Sequence, residues 1–325
     1  MGRALVDQLL KYDVERVIAI DNNESELFFL GTDYAKDNRL VSFLLDISDT
    51  SHLYRRLIGV DYVIHAAAFK HVPLCEQSPV SAVRNNITGT QSVIDAARRA
   101  NVKKVLFTSS DKAVNPTNVM GTSKLMGERL ITAANLDSSN NRTKFASTRF
   151  GNVIGSRGSV FPIFRDQIKK RQPITLTHPD MTRFMMTLDE SVRLVLNSLA
   201  LMVGGEVFVT KMPVVCIKDF AEALVDYYAK QDGFDRKEVD IHVIGLRPGE
   251  KLFEELTTSE EVNRSYEIDD FIVVLPGFKV IYEDFDFTTY KERGEPSTEV
   301  YDSSKRAKLD NEASLALVRE AGLIT

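Results

Sequence analysis

Short, unbroken apolar runs alternate with amphipathic stretches through the first half of the chain. Val17–Ile20, Leu40–Leu45, Asp61–His65, Val102–Thr108 and Phe145–Phe150 read as buried strands. Between them, Arg3–Lys11, Ser51–Ile58, Pro79–Ala100 and Asn118–Ala134 carry helical spacing. A strand that is apolar at successive positions has both faces covered, so this alternation predicts an α/β fold: a doubly wound parallel sheet with helices on each side. Ligands of such sheets lie beyond the carboxyl ends of the strands, and chemistry is expected there.

The second half is less regular. A helix at Leu188–Met202 and a strand at Glu206–Thr210 are expected to return to the sheet. The predicted organisation is a first domain, 1–150, to which 185–210 returns; a smaller C-terminal substrate-binding cap from 151–184 and 211–275; and a charged tail, 276–325, ending in a short helix at Asn311–Ala321. A dinucleotide-binding sheet ordinarily opens with a strand and a glycine-rich turn that brings pyrophosphate to the first helix N-terminus. Here Met1-Gly2-Arg3-Ala4-Leu5 starts directly on that helix, so the first strand and glycine-rich loop are expected to be missing. Gly2 is either the last glycine of such a turn or incidental.

Composition narrows the classes. With 325 residues and 43% hydrophobic content the chain can bury a full core. A net charge of −5 with acids and bases intermixed argues against a nucleic-acid surface. The two cysteines, Cys75 and Cys216, are far apart, and the five histidines are scattered, so neither a disulfide framework nor a metal site is expected. Nothing reads as a membrane span or signal peptide, which makes this chain read as soluble and cytoplasmic.

Candidate chemistry follows the strand ends. Asp21 closes the Val17–Ile20 strand, where a carboxylate can accept the adenosine ribose hydroxyls and repel a 2′-phosphate, favouring NAD over NADP. A helix N-cap asks for the same residue type, and the two roles are compatible. Asp46 can face adenine or cap the turn before Ser48. Ala66, Ala67 and Ala68 let a cofactor, or a helix, approach the backbone. Asn86 on the following helix can brace that backbone, with Thr90 nearby. After Val102–Thr108 comes Ser109-Ser110-Asp111-Lys112, then a helix carrying Met120 and, one turn on along the same face, Lys124. In a dehydrogenase such a lysine holds the nicotinamide ribose. Position 120 would ordinarily be a tyrosine base; methionine has no proton to exchange.

The string Ser110-Asp111-Lys112-Ala113-Val114-Asn115-Pro116-Thr117-Asn118-Val119-Met120-Gly121 resembles extended short-chain dehydrogenase/reductases of the UDP-N-acetylglucosamine 4,6-dehydratase type, in the polysaccharide-biosynthesis branch, where methionine replaces the tyrosine. Similarity runs through His65–Glu76, Arg149–Val153, Met181–Phe184 and Leu246–Leu252. The resemblance implies a Rossmann-type fold, NAD as cofactor and a UDP-sugar substrate, with UDP-N-acetylglucosamine giving UDP-2-acetamido-2,6-dideoxy-4-hexulose. It implies oxidation at carbon 4, loss of water across carbons 5 and 6, and return of the hydride to carbon 6. Ser110 then binds the carbon 4 oxygen, Asp111 protonates the departing hydroxyl with a pKa raised by burial, and Lys112, neutralised by desolvation, takes the carbon 5 proton. Lys124 positions the cofactor.

For the substrate, Asn152, Arg183, Arg247 and Glu250 are the candidates, with arginine forks for the phosphates and Glu250 for the ribose. Ser156-Arg157-Gly158-Ser159-Val160 leads into a helix whose start suits an anion, and Lys70 and His71 can flank the sugar. For each arginine in isolation a surface ion pair is the more common explanation, and the Arg-Pro-Gly-Glu-Lys context is what favours Arg247 and Glu250. Two other functions share these features: a nucleotide-sugar 4-epimerase, and a non-catalytic nucleotide-sugar-binding protein. A homodimer is the expected assembly.

Overall fold

The computed structural model describes residues 1–136, 142–156, 158–277 and 285–325. Seven strands form the main sheet in the spatial order Glu295–Pro296, Ser265–Ile268, Phe271–Val274, Val207–Thr210, Lys144–Arg149, Lys104–Thr108 and Tyr62–His65. The last four run parallel. The first three are added antiparallel along the Val207–Thr210 edge. Val105, Leu106, Phe107, Phe145 and Ala146 are at most 1% exposed, which is why their strands read as unbroken apolar runs. Val17–Asp21 and Leu40–Leu44 pair in parallel as a separate two-stranded sheet.

The helix Val119–Ala133 lies on this sheet. Asn118 caps it by accepting the Gly121 N–H at 2.8 Å. A side chain at Gly127 would meet the Phe107 ring at 2.7 Å, so glycine there lets the helix settle directly onto the strand. Predicted as one helix, Pro79–Ala100 is instead broken by a π-helical turn at Val83–Thr88 between Pro79–Ala82 and Gly89–Arg99. Such turns shift the side chains that follow around the helix, and this one carries Asn86.

The cap contains a three-stranded sheet of Asn152–Val153, Thr182–Met186 and Val214–Cys216, and a parallel pair of Ile174–Leu176 with Ile241–Val243. Its core joins Phe161, Phe164, Phe220 and Leu224 to Leu317 and Val318 of the C-terminal helix Asn311–Glu320. Two predicted boundaries therefore move. Residues 265–274, grouped with the cap from sequence, belong to the main sheet, and the helix read as part of a tail packs into the cap.

Arg149, 1% exposed, ties the strand Lys144–Arg149 to the helix Val119–Ala133 and to the segment 256–261 that leads into the strand Ser265–Ile268. Its guanidinium donates to both oxygens of Glu128, at 3.0 and 2.6 Å, and to both of Glu261, at 3.0 and 3.1 Å. A further bond of 2.7 Å to the Leu256 carbonyl engages its fifth N–H. Among the described residues no helix is long and apolar enough to cross a membrane.

Candidate active site

The chain leaves the sheet after Lys104–Thr108 and enters a 3₁₀ turn at Asp111–Ala113, placing Ser110, Asp111 and Lys112 at a carboxyl end. Asp111 donates its backbone N–H to the Phe150 carbonyl at 3.1 Å, which pins the turn to the neighbouring strand. The Asp111 side chain is 1% exposed and that of Lys112 is 32% exposed. Ser110 Oγ donates to Asp111 Oδ1 at 2.6 Å, and Lys112 Nζ lies 3.1 Å from both Asp111 oxygens.

Glu254, which sequence reasoning missed, completes the cluster. Its side chain is 5% exposed. Arg183 Nε stands 3.2 Å from Oε1 and Lys112 Nζ 3.8 Å from the same oxygen. Asn152 Nδ2 donates to Oε1 and Oε2 at 3.1 and 2.9 Å, and the Phe184 N–H to Oε2 at 3.2 Å. The Asp111 and Glu254 carboxyls are within hydrogen-bonding reach of one another. A signal existed: in Leu252-Phe-Glu-Glu-Leu256, Leu252, Glu254 and Leu256 alternate toward the interior, so a carboxylate stands on a core-facing position.

These contacts correct two expected protonation states. Burial works to raise Asp111, but the Lys112 charge and hydrogen bonds from Glu254, Ser110 and Lys112 outweigh it and hold the carboxyl below its usual range. Burial works to lower Lys112, yet Asp111 and Glu254 raise it above an ordinary lysine despite Arg183. The resting pair is thus a carboxylate and an ammonium, the reverse of a raised acid beside a neutral amine. Glu254 is the displaced group: burial and Asp111 push it up to about 7, against Arg183 and Lys112.

Lys124 is buried behind this turn. Its Nζ donates to the Thr108 carbonyl at 2.9 Å and lies 4.6 Å from the Phe107 ring centre, and burial lowers it to about 8. Met120, 3% exposed, packs with Cys75 and Ala82. His65, also buried, meets Thr90 Oγ1 at 2.9 Å, and burial lowers it to about 3.

The other sequence candidates divide. Asn86 brackets Phe69, accepting its N–H at 2.8 Å and donating to its carbonyl at 3.0 Å, and also donates to Ser123 Oγ at 2.9 Å. That braces the chain just after Ala66, Ala67 and Ala68, which are half-buried. Asp21 accepts the Asn23 N–H at 2.9 Å, and Asp46 accepts the Ser48 N–H and hydroxyl at 2.8 and 2.7 Å, so both serve local turns. Gly2 opens the first helix with nothing within 4 Å of where a Cβ would stand, so no close approach requires glycine there. Arg183 and Asn152 converge on Glu254, and Glu250 Oε1 lies 3.9 Å from Arg183. Arg247 is exposed and is not brought to Glu254; its backbone N–H donates to Glu250 at 3.2 Å. Lys70 and His71 are exposed, and Arg157 lies outside the described residues.

Gly121 is required by the turn. A Cβ there would fall inside the van der Waals envelope of the Lys112 carbonyl, with the Lys112 carbonyl carbon and the Pro116 side chain also crowding it. Gly121→Ala is expected to cost about 1–3 kcal/mol by overpacking. Urea denaturation measures it, and a loss under a few tenths would show that the Asp111–Ala113 turn yields freely.

Comparison with known proteins places these features. A family model described as polysaccharide biosynthesis protein matches residues 1–276. A UDP-N-acetylglucosamine 4,6-dehydratase (inverting) of Campylobacter jejuni is 37% identical over 291 residues, covering 88% of this chain and 83% of the relative. A UDP-glucose 4-epimerase of Rickettsia massiliae is 39% identical over 276 residues, covering 83% and 78%. The X-ray structure of Pen from Bacillus thuringiensis superposes with a TM-score of 0.91 at 36% identity, covering 100% of this chain and 95% of the other.

Proposed function

The chain belongs to the polysaccharide biosynthesis protein family, and on that footing we propose that it is an NAD-dependent nucleotide-sugar 4,6-dehydratase acting on a UDP-sugar, UDP-N-acetylglucosamine first among them. The observation that carries this reading is the Ser110–Asp111–Lys112 constellation. A 4-epimerase must move one hydroxyl proton, whereas a dehydratase needs both an acid and a base for elimination.

Bound NAD would accept the hydride from carbon 4 and return it to carbon 6. Residues that fit it are the half-buried Ala66–Ala68 strip braced by Asn86, the buried Lys124, and Ser109, whose enclosed hydroxyl makes no hydrogen bond within the described residues. Asp21 favours NAD over NADP by repelling a 2′-phosphate.

The proton path follows from the hydrogen bonds. Ser110 Oγ already donates to Asp111, so the carbon 4 hydroxyl proton passes to Ser110 as Ser110 passes its own to Asp111. Asp111, now neutral, later gives that proton to the carbon 6 hydroxyl, which leaves as water. Neutralising Asp111 also removes the first of the charges that hold a proton on Lys112. Lys112 releases it through its solvent-exposed side, takes the carbon 5 proton, exchanges it with solvent and returns a proton to carbon 5 at the end. Arg183 and Asn152 would hold the diphosphate, with Glu250 and Arg247 toward the ribose.

The test is incubation of the protein with UDP-N-acetylglucosamine and NAD⁺, followed by NMR of the sugar. A 4-keto-6-deoxy product is expected. A 4-epimer would instead establish the epimerase reading favoured by the Rickettsia relative, and the absence of any product would leave a binding protein.

A further inference from the structure

The proposed reaction leaves Glu254 without a task, although it is the most heavily tied carboxyl near the site. Two ionised carboxylates are acceptors only, so Asp111 and Glu254 can hydrogen-bond each other only if one carries a proton. The surroundings decide which. Asp111 is fixed by Lys112 at both oxygens and by the Ser110 hydroxyl, contacts that favour the ionised form. Glu254 also has donors, from Asn152 and the Phe184 N–H, but its two cations, Arg183 and Lys112, both meet Oε1, at 3.2 and 3.8 Å, whereas Lys112 stands 3.1 Å from each Asp111 oxygen.

We propose that Glu254 is the positioning residue for Asp111: its carboxyl carries the shared proton and donates it to the Asp111 carboxylate, keeping Asp111 ionised, aimed at Ser110 and ready to accept the substrate proton. This deepens the dehydratase reading and rests on it for the identity of that proton. It also gives Glu254 a second consequence. When Glu254 loses its proton, two carboxylates confront each other, and the new charge grips Arg183, Asn152 and Lys112, the groups expected to meet substrate. The charged and titratable side chains facing Glu254 are Asp111 and Lys112 from the turn and Arg183 from the strand Thr182–Met186, with Glu250 beyond Arg183. Across them the pair titrates as a unit.

Glutamine at 254 keeps a donor toward Asp111 but cannot ionise, which separates this role from a merely structural one. In the wild type kcat/KM is expected to fall as pH rises through about 7, with KM rising as ionised Glu254 competes for Arg183. In Glu254→Gln that limb is expected to move to about 8, where Lys124 loses its charge. Glu254→Ala, lacking any donor, is expected to lower kcat at all pH values, and the glutamine variant to restore part of it.

A measurement without turnover accompanies this. Carbon-13 NMR of carboxyl-labelled protein is expected to show a glutamate titrating near neutrality in the wild type whose signal is lost in Glu254→Gln, which separates it from the buried Glu206, whose carboxyl burial also raises. Superimposable pH profiles, or no titrating signal lost on Glu254→Gln, would overturn the proposal. If no substrate is turned over at all, the NMR titration still decides the shared proton, so failure of the dehydratase reading is distinguishable from failure of this one.

Discussion

Arg149→Met is expected to be the most destabilising single change in the protein, lowering the unfolding free energy by about 3–5 kcal/mol. Methionine roughly fills the volume but leaves Glu128 and Glu261 buried at 3% exposure each with no cation between them. The cost comes from those two uncompensated charges more than from the lost bonds. In a chain of 325 residues this corresponds to a fall in Tm of roughly 5 °C.

The pH dependence identifies the cause. Burial works to raise Glu261, but Arg149 and its hydrogen bonds bring it down to about 2 from a reference of 4.5. In the wild type that carboxylate therefore contributes stability that is complete above about 4.5 and is lost as pH falls toward 2. Without Arg149 the burial effect remains alone, the folded-state value rises, and acid relieves the strain. The deficit of Arg149→Met relative to wild type should shrink as pH is lowered from 7 to 5, because a buried carboxylate without its cation takes up a proton well above the ordinary carboxylate range. Urea melts across that range measure it, and a pH-independent deficit would mean that packing alone matters. Combining Arg149→Met with Glu128→Gln and Glu261→Gln should recover part of the loss.

How much of this was legible depended on where the information sits. Val105–Phe107 and Phe145–Ala146 are buried on both faces, so their strands and the doubly wound sheet follow from local apolar runs. Asp111 and Lys112 are legible because they follow such a strand, and Lys124 because one helical turn separates it from position 120. The π turn at Val83–Thr88 has no residue signature, since it is a change of hydrogen-bond register. Phe271–Val274 carries a readable strand signal, Phe-Ile-Val-Val, that the loop-rich surroundings obscure; what sequence does not reveal is that it extends the main sheet antiparallel. The protonation states were the least accessible. Asp111 and Lys112 hold each other in their charged forms, with Glu254 arriving from a distant segment to reinforce both, while from a dipeptide alone burial looks like the dominant influence. Arg149 shows the same limit: an arginine inside an apolar strand is visible, but its two carboxylate partners are set by tertiary structure.

Asp111→Asn is expected to lower turnover by about 10³-fold, within the range for loss of a general acid–base group. Asparagine keeps the shape and can still accept from Ser110, but it can neither take the carbon 4 proton nor deliver it to the carbon 6 hydroxyl. Both halves of the proposed proton path then stop, so neither a 4-keto intermediate nor its dehydrated product should accumulate. Lys112→Met divides the path differently. It keeps the Ser110–Asp111 hydrogen bond and removes the group that takes the carbon 5 proton, together with the charge that holds the Asp111 carboxyl low. Oxidation at carbon 4 should persist while elimination and the wash-in of solvent deuterium at carbon 5 disappear. An epimerase would respond to the first substitution and tolerate the second, because it never breaks the carbon 5 bond. Product analysis and deuterium content by NMR therefore read the reaction class from two variants. More than a tenth of wild-type dehydration in Asp111→Asn would remove Asp111 as the proton carrier, and undiminished deuterium wash-in by Lys112→Met would remove Lys112 as the base.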